Sequence, residues 1–78
     1  MARLLLLGPA REAAGTREAT LEGATVSAVL EAARARFGES FAAVLATSQV
    51  WVNGEPADPE LPVAPYDEVA VLPPVSGG

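Results

Sequence analysis

The chain closes on Leu72-Pro-Pro-Val-Ser-Gly-Gly78, and the carboxylate of Gly78 is the group whose chemistry stands out. Gly77 and Gly78 lack Cβ atoms, so their backbone can pass through a channel too narrow for other residues. Pro73 and Pro74 have fixed φ and no N–H. They end a hydrogen-bonded ladder and stiffen the chain that leaves it. The extended stretch from Val75 to Gly78 reaches roughly 13–14 Å, at about 3.3–3.6 Å per residue. A terminal carboxyl titrates near pH ~3.3–3.7 and is ionised at neutral pH. As an anion it is a poor electrophile, so acyl chemistry at Gly78 requires prior activation.

The residue types that are missing narrow the alternatives. The 78 residues include no cysteine and no histidine, and the five basic residues are all arginine (Arg3, Arg11, Arg17, Arg34, Arg36). Thiol nucleophiles, disulfides, sulfur-ligated metals and Schiff-base lysines are therefore excluded, as are histidine bases and histidine metal ligands. A formal net charge of −5 disfavours nucleic acid and anionic membrane as partners. What remains is carboxylates, backbone groups and the chain end. No cofactor is expected on this chain. The start, MARLLLLGPAREAAG, is apolar for too short a run to be a secretory signal, and no run is long enough to span a bilayer. A cytoplasmic location is the expectation.

The arm must be carried by a small domain, expected over residues 1–72 with the tail at 73–78. Residues 3–8 read as a short apolar strand stopped by Gly-Pro, and residues 8–15, GPAREAAG, as a loop. Thr16 to Glu22 reads as a second strand, paired with the first in a hairpin. Thr25 is placed to cap a helix whose apolar stripe is Val26, Val29, Leu30, Ala33 and Phe37, with Gly38 ending it. Phe41 to Ala46 is expected to be a short irregular helical turn. Gln49 to Val52 reads as a strand running into an Asn53-Gly54 turn, and the proline-rich stretch 55–65 as a surface segment. Residues 68–72 form the last strand. This order predicts an α+β fold, a mixed sheet with one main helix across one face. Parallel first and last strands at its centre would set Leu4, Leu6, Val69 and Val71 against the helix stripe. The arrangement resembles the β-grasp, or ubiquitin-like, roll.

The residues also carry a resemblance at family level. DEVAVLPPVSGG (67–78) resembles the C-terminus of the small, sulfur-carrying subunits of molybdopterin synthase, where a strand runs into two prolines, a small linker and a terminal Gly-Gly. LLLLGPAREAAG resembles that family's apolar first strand followed by a loop bearing Arg-Glu and a glycine. The TVSAVLEAARARFG helix and the VNG turn fall where the family has them. The resemblance implies that a ubiquitin-activating-like adenylyltransferase joins the Gly78 carboxylate to AMP using ATP, and that a sulfurtransferase then supplies sulfur to leave a thiocarboxylate. The tail, Gly77 included, would thread into the large molybdopterin synthase subunit, there to convert cyclic pyranopterin monophosphate to the dithiolene of molybdopterin. A heterotetramer with that subunit is implied. Related carriers serve thiamine synthesis or tRNA thiolation, and a ubiquitin-like protein modifier is a third reading. Without lysine, such a modifier could not build lysine-linked chains on itself.

Further residues are candidates for partner contact. Leu5, Leu7 and Leu72 alternate out of phase with the core set and would form an apolar patch on the sheet face away from the helix, of the kind that marks partner surfaces. In the resembled family an aromatic commonly stands at the position of Leu72. Arg11 matches the family's loop arginine, and Pro73, Pro74, Val75 and Ser76 would line the partner's channel. Asp67 and Glu68 read as wet turn residues rather than a carboxylate pair, and Trp51 as structural.

Overall fold

The computed structural model describes residues 1–74. In chain order the elements are β1 (Ala2–Leu6), α1 (Gly8–Ala14), β2 (Glu18–Leu21), α2 (Val26–Phe37), α3 (Glu39–Ala46), β3 (Gln49–Val52), β4 (Glu55–Pro56) and β5 (Glu68–Leu72). The five strands form one sheet in the order β2-β1-β5-β3-β4. β1 and β5 run parallel at its centre, with Leu4 opposite Val69 and Leu6 opposite Val71. The other pairings are antiparallel. This is the expected β-grasp.

Strand alternation sorts the two faces. Leu4, Leu6, Val69 and Val71 are buried to within 1% of completely and meet Val26, Val29, Leu30 and Ala33 of α2. Each such side chain contributes roughly 1.5–3 kcal/mol by leaving water. The opposite face keeps Leu5, Ala70 and Leu72 half-buried.

The first turn of α2 shows why the proline-rich segment lies where it does. Four N–H groups at a helix start lack intrahelical partners. Here Val26 N–H donates to Leu61 O, Ser27 N–H to Pro59 O, and Ala28 N–H to the Thr25 hydroxyl at 3.2 Å. Val63 N–H donates to Ala24 O beside a Thr25–Pro62 bridge. The segment is therefore tied to α2, and its first two residues form the edge strand β4.

Two expectations are corrected. Residues 8–15 are not a loop: Gly8–Ala14 is a helix, with Pro9 in its first turn. Proline is tolerated there because the N–H it lacks would have no intrahelical partner. Ala, Arg and Glu favour the remaining turns, and Gly15, at φ 78°, closes the helix with its N–H on Arg11 O. Ala10 is fully buried, so the helix is held by packing and not by propensity alone. Phe41–Ala46 is likewise part of a regular eight-residue helix, α3. Its Phe41 and Leu45, four residues apart, are both core, and the Phe41 ring lies 5.3 Å from that of Phe37 in a tilted pair.

Gly23 is required by close approach. A Cβ built there would lie 2.6 Å from Val29 N and 2.9 Å from Ala28 C, both backbone atoms that cannot step aside. Gly23→Ala is expected to lower unfolding stability by about 1–3 kcal/mol, as overpacking does. Urea denaturation with an unchanged m-value is the check.

Candidate functional site

Pro73 and Pro74 follow directly on the centre of the sheet. β5 is paired on both sides, to β1 and to β3, through Val69 and Val71, which are fully buried. The strand ends at Leu72; Pro73 is half-buried and Pro74 exposed. Because β1 and β5 are parallel, the chain leaves β5 at the same end of the sheet where β1 passes through Leu7 into α1. Val75, Ser76, Gly77 and Gly78 lie outside the described residues.

On the open face, register places Leu5 opposite Ala70 and Ala70 opposite Trp51, a row across three strands. Leu72 stands one step nearer the arm, opposite Gln49. Trp51 is half-buried, and its indole N–H donates to Gln49 Oε1 at 3.3 Å. It shares the face with Leu5 and Leu72, so it adds to the apolar row. Away from the arm, this face carries Arg3, whose guanidinium meets Glu68 at 2.7 Å and Glu18 at 3.6 Å. All three side chains are about half exposed, so each pair contributes at most about 1 kcal/mol.

The structure brings Leu5, Leu7 and Arg11 together. They line an open cleft of about 430 Å³ between the end of β1, α1 and the start of β2, with Arg17 and Glu18 on its far side. Leu7 is not a strand residue: it precedes α1 in extended conformation and is 47% exposed. Leu72, Pro73 and Pro74 do not line this cleft. Arg17 was missed in the sequence. Strand periodicity assigns it to a strand start and says nothing of the cleft it shares with Arg11.

Asp67 and Glu68 do not form a carboxylate pair. The Asp67 carboxylate accepts from Ala64 N–H at 2.7 Å and from Asn53 Nδ2 at 2.9 Å, while Asn53 Oδ1 accepts from Glu68 N–H at 3.0 Å. The clamp ties the Asn53-Gly54 turn to the start of β5. Asn53 itself sits at φ 50°, a conformation asparagine tolerates better than most residues. The backbone bond from Ala64, and then the bond from Asn53, hold the Asp67 carboxyl below its ordinary value of 3.8. Among the described residues no group of three or more acidic side chains could hold a metal ion, and no helix is long and apolar enough to cross a membrane.

A mixed sheet wrapped on a helix, with its central strand running into Pro73-Pro74, defines a β-grasp domain. The ThiS family model matches residues 4–78, and the chain belongs to that family of ubiquitin-like sulfur-carrier domains. Among solved structures it is similar to SAMP1 from Haloferax volcanii, at 31% identity over 99% of this chain and 98% of that one, with a TM-score of 0.83. It is similar to the small archaeal modifier protein 1 of Methanosarcina acetivorans at 27% identity, over 99% and 95% of the two chains, TM-score 0.88. A putative molybdopterin converting factor, subunit 1, from Pyrococcus furiosus is 26% identical over 95% and 97%, TM-score 0.83. No curated protein matches the chain.

A carboxylate with a depressed pKa stabilises the fold above its unfolded value, and this contribution is lost as pH falls through the folded value. Asp67→Asn is therefore expected to lower the melting temperature at pH 7. The gap to the parent should close as pH drops from about 4 toward 2. Melts at pH 7, 4 and 2.5 test this; a gap constant with pH would show that the carboxylate's charge plays no part.

Proposed function

We propose that this chain is the sulfur-carrying small subunit of a molybdopterin synthase. The observation that carries the reading is the arm: β5, locked at the sheet centre, runs into Pro73-Pro74 beside an apolar face, in a chain whose only candidate for carrying sulfur is Gly78. The likeness to a molybdopterin converting factor subunit supports the choice of pathway.

In this reading a carboxylate oxygen of Gly78 attacks the α-phosphorus of ATP on a ubiquitin-activating-like adenylyltransferase, and pyrophosphate leaves. The terminal sulfur of a sulfurtransferase persulfide attacks the acyl carbon, and AMP leaves. A partner thiol then cleaves the acyl disulfide, releasing the thiocarboxylate and leaving a disulfide on the partner. The charged arm enters the large synthase subunit, where sulfur passes to cyclic pyranopterin monophosphate. A dithiolene holds two sulfurs, so two charged carriers are consumed for each product. This chain supplies the acyl carbon, the reach of its arm and the docking surface. ATP and the thiols belong to its partners, and the setting is the cytoplasm.

The likeness to two small archaeal modifier proteins favours a second reading, attachment of Gly78 to amines of other proteins. The two readings share activation and differ in the acceptor. Carriers of the thiamine and tRNA-thiolation pathways share it too, and recovery of their enzymes in a pull-down without the large synthase subunit would redirect the pathway.

C-terminal-fragment mass spectrometry after incubation with cell extract, ATP and a sulfur donor tests the proposal. ATP-dependent replacement of oxygen by sulfur at Gly78 is expected; the fragment is needed because oxidation of Met1 gives nearly the same intact mass change. Gly78 in isopeptide linkage instead would select the modifier reading. Deletion of Gly78 is expected to abolish sulfur loading while leaving the melting temperature essentially unchanged, because the buried core residues all precede the arm.

A further inference from the structure

The five arginines are not equivalent. Arg3 is held by Glu18 and Glu68, Arg34 pairs with Glu31, and Arg36 lies over the Phe37 ring. Arg11 and Arg17 make no ion pair and no side-chain hydrogen bond among the described residues. Both are exposed, and both line the cleft that also holds Leu5 and Leu7. In a chain of net charge −5, two of the three guanidiniums without an ion pair among the described residues share one cleft, and the third, Arg36, lies over a ring. Leu5 belongs both to this cleft and to the open apolar row, so the cleft is continuous with the face beside the arm.

We propose that this cleft receives an acidic side chain, flanked by an apolar residue, from the adenylyltransferase that activates the arm. The inference rests on the reading of Gly78 as the activated group. Guanidiniums present planar pairs of donors that match a carboxylate. Leu5 and Leu7 form an apolar floor that a free phosphate would leave wet but an adjoining aliphatic side chain would cover. Glu18, drawn toward Arg3, borders the cleft and would repel a phosphate dianion more strongly than a single carboxylate. The local charge is also opposite to that of the whole chain, so the contact selects register: an acidic partner surface is attracted here and repelled over most of the rest.

The test measures ATP-dependent adenylation of the full chain by the ubiquitin-activating-like adenylyltransferase of the same organism, with carrier concentration and salt both varied. Charge reversal in Arg11→Glu/Arg17→Glu is expected to raise KM by about tenfold or more with kcat within about twofold, the pattern of a lost docking contact. It should also flatten the rise of KM with salt. Arg11→Lys/Arg17→Lys, which keeps charge but not the fork, should fall between, and melting curves of both variants should match the parent. If the parent is adenylated and the reversed variant shows the same KM and salt dependence, the cleft proposal is overturned while the carrier reading stands. If the parent is not adenylated, the carrier reading fails and the cleft is decided by NMR titration with the peptide acetyl-Leu-Glu-Glu-Leu-amide. Amide shifts at Leu5–Gly8 and Arg17–Glu18 that vanish in the reversed variant would keep it as an acidic-peptide site; their absence would remove it.

Discussion

The parallel pairing of β1 with β5 is the constraint on which the other features depend. Its partners lie 65 residues apart at Arg3 and Glu68, so the chain must close nearly on itself before the pairing contributes. Closure of that length costs entropy that local structure cannot recover. The compensation comes from the inner face, where Leu4, Leu6, Val69 and Val71 lose essentially all contact with water against α2. Parallel strands share a direction, so both leave the sheet at one end. β1 turns there into α1, and β5 there becomes the arm. That Leu7 and Pro73 follow their strands at one end of the sheet is thus a consequence of strand direction, not of separate design.

Around this centre, polar contacts set register where apolar packing is indifferent. The Asn53–Asp67–Glu68 clamp joins the β3–β4 turn to the first residue of β5, and Arg3 bridges β2 and β5 across β1. Neither contributes much free energy at its level of exposure. Both oppose a slip of one residue, which would turn Val69 and Val71 outward and leave Leu72 facing the helices. A shifted β5 would also move Pro73 and Pro74 by one residue along the sheet.

The open face and the cleft together give a chain with few reactive groups its distinguishing surface. In the proposed function the Gly78 carboxyl is chemically plain, and selection comes from that surface. Leu5, Ala70, Trp51 and Leu72 offer apolar area, while Arg11 and Arg17 supply a local charge opposite to that of the whole chain. Apolar area gives affinity without direction; the paired guanidiniums give direction.

Much of this was legible in the residues. The apolar runs at 3–8 and 68–72, the Thr25 cap, the α2 stripe and the Asn-Gly turn each state a local preference that the tertiary structure did not oppose. The absence of Cys, His and Lys left carboxylates, backbone groups and the chain end as candidates for chemistry, and the diproline marked where the strand had to stop. GPAREAA shows where local reading ends. Its Gly-Pro start looks like a loop, but the Ala, Arg and Glu that follow favour a helix and burial of Ala10 holds it. Phe41 is similar: one phenylalanine four residues after another carries no sign that the second will be fully buried with the first packed against it. Arg17, Gly23 and the Asp67 clamp were invisible for the same reason. Arg17 shares a cleft with nearby α1, Gly23 meets the backbone of Ala28 and Val29, and the Asp67 clamp joins residues 14 apart; each role depends on the path of the chain in space, which no residue preference states. The sequence by itself determined which groups could react and which faces would be buried. Only the tertiary structure decided which exposed groups became neighbours, because proximity across 65 residues is set by strand direction and packing, and no local preference encodes either.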